Sequence, residues 1–262
     1  DVAFALLSSD QQKLFEFQAV EWPWRNESVP VVAQRAGSYY IQVRPLFENP
    51  PLSRYRVNIK ELRAATATDN DRVDAQKYVA DAYQLHRKGT QDAHREAIPK
   101  LEMALSLARK VEDQELEAKI LFAFGQFHSG LHDQPKAIEY FEKALRLNRS
   151  LGERLGQART LLRLGYSLTE LGQNLQARER LQQALPLYRE AGDKSGEGKA
   201  LYMMAESYAR ESPRMALDYY LQAGPLLRAA GDINYVLELL FSSGLSWLQV
   251  GESQKAFETL NE

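Results

Sequence analysis

The chain has 262 residues, of which 44% are hydrophobic and 26% charged, an ordinary balance for a globular protein with material for one large domain or two smaller ones. Its formal net charge of -2 excludes the strong basic bias of a protein that works by neutralising nucleic-acid phosphates. With no cysteine, disulfide scaffolds, thiolate metal sites and cysteine nucleophiles are excluded, while compartment stays open. No run of about 18 apolar residues is present, so no membrane span is expected. The chain opens at Asp1 without a signal-like apolar stretch and reads as a piece of something longer, whose targeting is not legible.

Apolar residues alternate in the first 62 positions. Val2 to Leu7 is one candidate strand, and Phe15, Phe17 and Ala19 mark a second. Val29, Val31 and Ala33 mark a third, Tyr39, Ile41 and Val43 a fourth, and Tyr55, Val57 and Ile59 a fifth. Pro23, Pro30, Pro45, Pro50 and Pro51 punctuate the joins. About five short strands predict a small, incomplete antiparallel β-sandwich over residues 1–65. The alternation stops after Leu62. Thr66 to Arg72 reads as a polar connector with Thr68 and Asp69 as helix N-cap candidates, and helix pairs are expected from Val73 onward.

That helical part, residues 66–262, repeats itself. Gly125, Gly165, Ala205 and Gly244 stand at steps of 40, 40 and 39. A second small residue follows at Ala137, Ala177, Ala216 and Ala256, and a large one at Phe141, Leu181, Tyr220 and Leu260. Ala144, Ala184 and Ala223 come next, and Leu-Gly-Glu at 151–153 returns as Ala-Gly-Asp at 191–193 and 230–232. Paired small residues let two helix backbones approach, and the large residue is expected to fill the gap to the following unit. One such unit cannot bury its apolar face alone, so units stack. Ser212-Pro213 is a good helix start, and Gly152, Gly192 and Gly231 suit helix C-caps. Units are expected near 73–112, 113–152, 153–192, 193–231 and 232–262, the first degenerate and the last unfinished.

Leu121, Phe124, Gly125, His128, Ala137, Phe141 and Ala144 resemble the tetratricopeptide repeat pattern. Leu161, Leu164, Gly165, Leu168, Ala177, Leu181 and Ala184 match it again, as do Leu201, Met204, Ala205, Tyr208, Ala216, Tyr220 and Ala223 with Ala for Gly. Leu240, Gly244, Trp247, Ala256 and Leu260 begin another unit. The long period resembles the variant of kinesin light chains and bacterial regulators, whereas HEAT repeats lack this Gly/Ala spacing. The resemblance implies a mainly α fold, a right-handed α-solenoid of antiparallel helix pairs. The stretch Gly37 to Pro45, then Tyr55 to Val57 and Glu61 to Thr66, more weakly resembles the β-module before the repeats of bacterial CHAT-family proteins. In that family a caspase-like peptidase domain follows the repeats, and it would be absent from this chain.

Chemistry-bearing motifs are scarce, and neither metal nor cofactor is expected. Gly192 to Ala200 only faintly resembles a phosphate loop and is explained by the repeat. His128 and His132 lie four apart, as metal ligands can, but occupy an aromatic packing slot and a turn. Trp22 and Trp24 read as packing residues. First helices of tetratricopeptide units line a concave groove. Six places before the small residue stand Lys119, Arg159, Lys199 and Glu238. Three before it are Phe122, Leu162, Tyr202 and Phe241, and one after it Gln126, Tyr166, Glu206 and Leu245. Two readings stay open. Either the basic residues are merely solvated and the aromatics pack between units, or Lys119, Phe122, Gln126, Arg159, Leu162, Tyr166, Lys199, Tyr202, Glu206 and Phe241 form a peptide groove. Arg159 and Arg163 resemble the basic pair of the chaperone-tail carboxylate clamp, but Gln126 and Ala123 stand where its asparagines belong.

The function expected is a non-enzymatic scaffold that binds a protein or peptide segment, with no nucleic-acid or membrane partner. The rivals are a regulatory or sensor fragment of a CHAT-type peptidase and a structural oligomerisation arm. Self-association is expected through the unfinished last unit, around Phe257 and Leu260.

Overall fold

The computed structural model describes residues 2–7, 13–18, 40–45 and 65–261. They fall into two compact units, residues 1–113 and 114–262.

In the first unit, β1 (Val2–Leu7) is the middle strand of an antiparallel sheet, between β2 (Lys13–Gln18) and β3 (Tyr40–Pro45). Phe4 pairs in register with Phe17 on one side and Val43 on the other. The expected sandwich is not what these residues show. The described strands make a single three-stranded sheet, and the candidate strands at 29–33 and 55–59 lie outside the described residues, as do Trp22 and Trp24.

The first helix starts earlier than the sequence pattern implied. α1 spans Ala67–His86, with Thr66 rather than Thr68 or Asp69 at its N-cap. The Asp69 carboxylate accepts the Thr66 backbone N–H at 2.7 Å, which satisfies a donor that the helix leaves orphaned. The connector is thus the first turn of a helix. α2 (Gln91–Lys110) packs on α1 through Ala97, Leu101 and Ala104, all fully buried. Ion pairs Arg72–Asp113 and Lys110–Asp71 tie the ends of this hairpin.

The second unit is a run of four hairpins: α3 (Gln114–Gly130) with α4 (Gln134–Ser150), α5 (Arg154–Glu170) with α6 (Asn174–Glu190), α7 (Lys194–Tyr208) with α8 (Pro213–Ala230), and α9 (Ile233–Gln249) with α10 (Ser253–Leu260). Short turns force each pair to run antiparallel. A left-handed residue ends most helices. Gly152, Gly192 and Gly231 have φ of 70°, 64° and 72° as expected of C-caps, and His132 takes the same conformation without being glycine. One residue on, a backbone N–H reaches back across the turn to close the helix, as from Glu153 to Asn148 O and from Asp193 to Tyr188 O.

The repeated small residues sit where two helices nearly touch. A methyl group built on Gly125 would stand 2.5 Å from the Phe141 ring. On Gly165 it would meet Leu181 at 2.6 Å, and on Gly244 Leu260 at 2.8 Å. The large residue therefore packs onto the glycine of its own hairpin. At Tyr220 it also reaches toward the following unit, as the sequence pattern implies, because its hydroxyl meets Ser242 of α9. Ala137, Ala177, Ala216 and Ala256 lie buried alongside.

Hairpins join by each second helix packing on the next first helix: α4 on α5, α6 on α7 and α8 on α9. The joints use glycine again, since Gly156 lies under Asn148 and Gly196 under Tyr188. First helices also touch one another, α3 with α5, α5 with α7 and α7 with α9. The second helices are instead bridged by long polar side chains, Arg180 to Glu142 at 2.9 Å and Arg149 to Gln183 at 3.0 Å. Close packing in one layer and polar bridging in the other place the first helices on the inner side of the stack. Among the described residues, no helix is long and apolar enough to cross a membrane.

The glycine slots give a direct test. Gly165→Leu should destabilise the second unit by about 1–3 kcal/mol through overpacking. Pairing it with Leu181→Ala should recover part of that loss, read as a non-additive double-mutant cycle in chemical denaturation.

Candidate binding face

The inner layer is built from the first helices, so a residue's place in the repeat decides its exposure. The column of Phe122, Leu162, Tyr202 and Phe241 does not form an open row of pockets. Phe122 is 2% exposed and Tyr202 7%, while Leu162 is half-buried and Phe241 is 61% exposed. Phe122 packs against Phe141 with ring centres 5.5 Å apart. Tyr202 meets Tyr220 of its own hairpin at 5.9 Å and, edge-on, Tyr235 of the next first helix at 5.6 Å. These positions form the seam between neighbouring helices. Phe241 occupies the same register on α9, and no helix among the described residues covers it.

The basic column is also partly used by the fold. The Lys199 ammonium sits 3.2 Å from Asp232 and donates to the Ser195 hydroxyl at 3.0 Å, while lying 5.0 Å from the centre of the Tyr235 ring. Ser195 in turn donates to Asp232. This clasp ties α7 to the start of α9. Lys119 and Arg159 are half-buried and engaged with neighbouring groups, and Glu238 is exposed.

The column of Gln126, Tyr166 and Glu206 is half-buried, and Leu245 is exposed. Glu206 accepts the Tyr220 hydroxyl, which anchors the far end of that phenol. Burial, reinforced by the Glu206 charge, pushes the phenols of Tyr202 and Tyr220 far above their ordinary pKa. Burial raises Tyr166, Tyr188 and Tyr235 as well. The Arg163 guanidinium acts in the opposite direction on all three, which sets one cation within reach of three phenols from α5, α6 and α9.

The sequence reading missed Tyr235, Tyr188, Ser195 and Asp232, and valued Arg163 only through the clamp comparison. A signal was available for Tyr235. It occupies the register of Gly156 and Gly196, nine places before the small residue, so an aromatic ring replaces two glycines there. The face that results is mixed. Arg159, Leu162, Arg163, Tyr166 and Gln126 lie half-exposed along α3 and α5, and Glu206, Glu238 and Leu245 lie along α7 and α9. Such a surface can hold a polypeptide by apolar contact and paired charges.

His128 and His132 do not converge. His128 is buried and stacked on Tyr140 at 5.3 Å, with Nδ1 3.6 Å from Asp133, whereas His132 lies exposed in the turn. Among the described residues, no group of three or more His, Cys, Asp or Glu is placed to hold a metal ion. Burial lowers the His128 pKa, with Asp133 opposing the shift.

A family model for the tetratricopeptide repeat matches residues 89–150 and 156–229. Solved structures agree on the fold. BtubC (BKLC) from P. vanneervenii is 15% identical, with 75% of this chain and 89% of that one covered at a TM-score of 0.52. Aspartyl phosphate phosphatase F from Bacillus subtilis is 15% identical, covering 74% and 50% at 0.63. A STAND protein with a tetratricopeptide repeat sensor from Pyrococcus horikoshii is 14% identical, covering 73% and 30% at 0.61. No curated protein matches the chain.

Two outcomes follow from this geometry. Tyr202→Ala should cost about 3–5 kcal/mol of stability, because it empties a buried seam, and calorimetry will show it without any ligand. The melting temperature should also fall as pH drops from 7 to 5. His128 binds a proton more readily unfolded than folded, so its contribution is intact above the unfolded pKa and is lost on acidification. His128→Phe should flatten that limb.

Proposed function

The chain belongs to the tetratricopeptide repeat family, and on that footing we propose that it is a non-enzymatic scaffold that receives a protein segment along its first-helix layer. The observation that carries this reading is the adjacency of α3, α5, α7 and α9, with half-exposed side chains recurring at fixed register. A rigid stack presents preformed contacts, so the scaffold loses little conformational entropy on binding. Phe122 and Tyr202 maintain the shape of the face, and the contacts come from Lys119, Gln126, Arg159, Leu162, Arg163, Tyr166, Glu206 and Phe241. Lys199 contributes through its clasp, by fixing α9 against α7.

Arg159 and Arg163, one turn apart on α5 beside Leu162 and Tyr166, favour a segment that carries acidic residues next to apolar ones. Exposed charge pairs contribute about 0.2–1 kcal/mol each, so Leu162 and Tyr166 supply most of the affinity and the arginines set orientation.

A second reading keeps the same face and gives it a sensing role within a longer protein. The Pyrococcus horikoshii neighbour, described as having a tetratricopeptide repeat sensor and covered over only 30% of its length, supports that alternative by analogy of fold. A CHAT-type peptidase is one form of it. It draws on the resemblance around β3, and much of that stretch lies outside the described residues.

The test uses fluorescein-labelled 15-residue peptides that combine Asp or Glu with Leu or Phe. Saturable binding is expected, at least tenfold weaker for Arg159→Glu/Arg163→Glu and unchanged for Arg146→Glu on the second-helix layer. Failure of every such peptide to bind, or equal losses in both variants, would overturn the proposal.

A further inference from the structure

The joint between α6 and α7 leaves a buried hydroxyl without a partner. Asn148 lies over Gly156 at one joint, and Tyr188 lies over Gly196 at the next. At the earlier joint the polar tip is satisfied, because the Asn148 amide donates to the Thr160 hydroxyl at 3.4 Å. Forty residues on, the register of Thr160 is held by Ala200, which offers no acceptor. Tyr188 is also longer than Asn148. A methyl group on Gly196 would stand 2.1 Å from the Tyr188 ring, so the ring occupies a gap that glycine alone leaves open. The residue is 1% exposed, and among the described residues its hydroxyl makes no hydrogen bond. A buried polar group in that condition calls for an explanation. Unlike the Ser167 hydroxyl, which is sealed without a partner, the Tyr188 hydroxyl keeps an opening to the surface.

Its surroundings are rich in donors. Arg159, Arg163 and Tyr166 stand at i, i+4 and i+7 on α5, which puts them on one face of that helix. Arg163 is half-buried, and among the described residues its guanidinium makes no ion pair or hydrogen bond, nor do the hydroxyls of Tyr166 and Tyr235 make one. Tyr235 comes from α9, edge-on to Tyr202 and with the Lys199 ammonium 5.0 Å from its ring centre. Tyr166, Tyr188 and Tyr235 all lie within electrostatic reach of Arg163, and Tyr188 also of Arg159. Burial keeps the three phenols protonated, so each is a donor at neutral pH. The carboxylates that face them are Glu170, Asp193, Asp232 and Glu238. Asp193 is occupied in capping α7, where it accepts the Gly196 N–H at 2.9 Å, and Asp232 is held by Lys199 and Ser195. Glu170 and Glu238 are exposed.

We propose that Arg163 and the hydroxyls of Tyr166, Tyr188 and Tyr235 bind a phosphoryl group, carried by a phosphorylated side chain of the segment that lies along the first-helix layer. The inference rests on that reading of the inner face and names the chemistry of its anchor. A carboxylate has two oxygens, and the planar fork of Arg163 alone can occupy both, which would leave the three phenols idle. A phosphate monoester carries three strong acceptor oxygens and a charge of about −1.5 to −2 at pH 7. It can take the guanidinium on one side and phenol O–H donors on the others. Free phosphate offers the same oxygens. The covalent form is favoured because half-exposed Leu162 and Tyr166 flank the arginines on α5 and supply apolar contact for the neighbouring residues of a segment.

Fluorescence anisotropy with the full 262-residue chain decides it, using a fluorescein-labelled 15-residue peptide in which Leu and Phe flank one phosphoserine, and its twin with Glu at that position. The phosphopeptide is expected to bind at least tenfold more tightly than the Glu peptide. Tyr188→Phe keeps the ring over Gly196 and removes only the hydroxyl, so it should shrink that ratio at least threefold with circular dichroism unchanged. Arg163→Gln should bring the ratio close to one. Equal affinity for the two peptides overturns the inference and leaves the acidic-segment reading standing. A phosphopeptide preference that survives both substitutions also overturns it. If neither peptide binds, the reading of the inner face fails, and phosphorus NMR of inorganic phosphate alone judges the cluster. Line broadening at millimolar phosphate that is lost in Tyr188→Phe then assigns the site to free phosphate, and no broadening overturns the phosphoryl site altogether.

Discussion

The close approach of paired helices at the small residues is the constraint on which the rest depends. At Gly125, Gly165 and Gly244 the space a side chain would fill is taken by Phe141, Leu181 and Leu260 of the partner helix. Where Ala205 stands instead, the partner is Tyr220, whose ring lies buried and whose hydroxyl finds Glu206. Because every hairpin solves this problem in the same way, all hairpins have similar width and can stack. Glycine reappears at the joints, under Asn148 and Tyr188, so both kinds of helix contact are held at short range by absent side chains.

Stacking then assigns roles to residues that the repeat alone leaves equivalent. Phe122, Leu162, Tyr202 and Phe241 share one register, yet they range from buried to mostly exposed. Exposure depends on the neighbouring helix and on how much the local side chains fill. The same applies to the cations. Lys199 is drawn into a clasp with Ser195 and Asp232 because α9 begins beside it, and this clasp together with the Tyr202–Tyr235 contact holds the last hairpin to the one before. What remains available on the inner layer is a mixed strip, basic and aromatic on α5 and acidic toward α7 and α9. The inner strip is made of side chains half-covered by neighbouring helices, so several of its polar groups already have partners and a ligand competes for them.

Much of the fold was legible in the sequence because its determinants are local or strictly periodic. The 40-residue recurrence of small and large residues locates the hairpins, the glycines before each turn mark the helix ends, and the alternation at Val2–Leu7 matches β1. The start of α1 was misplaced since Thr66 and Asp69 act across a full turn, and a polar stretch looks like a connector until its helix is seen. The candidate face was only half legible. Periodicity identifies which residues share a register, and it brought Lys119, Arg159 and Lys199 together on paper. It carries no information on whether the next helix lies over that register, or on which acid from a distant turn reaches the cation. Burial of Phe122 and Tyr202 and the Lys199–Asp232 pair were decided by tertiary structure, because each depends on contacts between segments that the sequence separates by more than a full turn of helix.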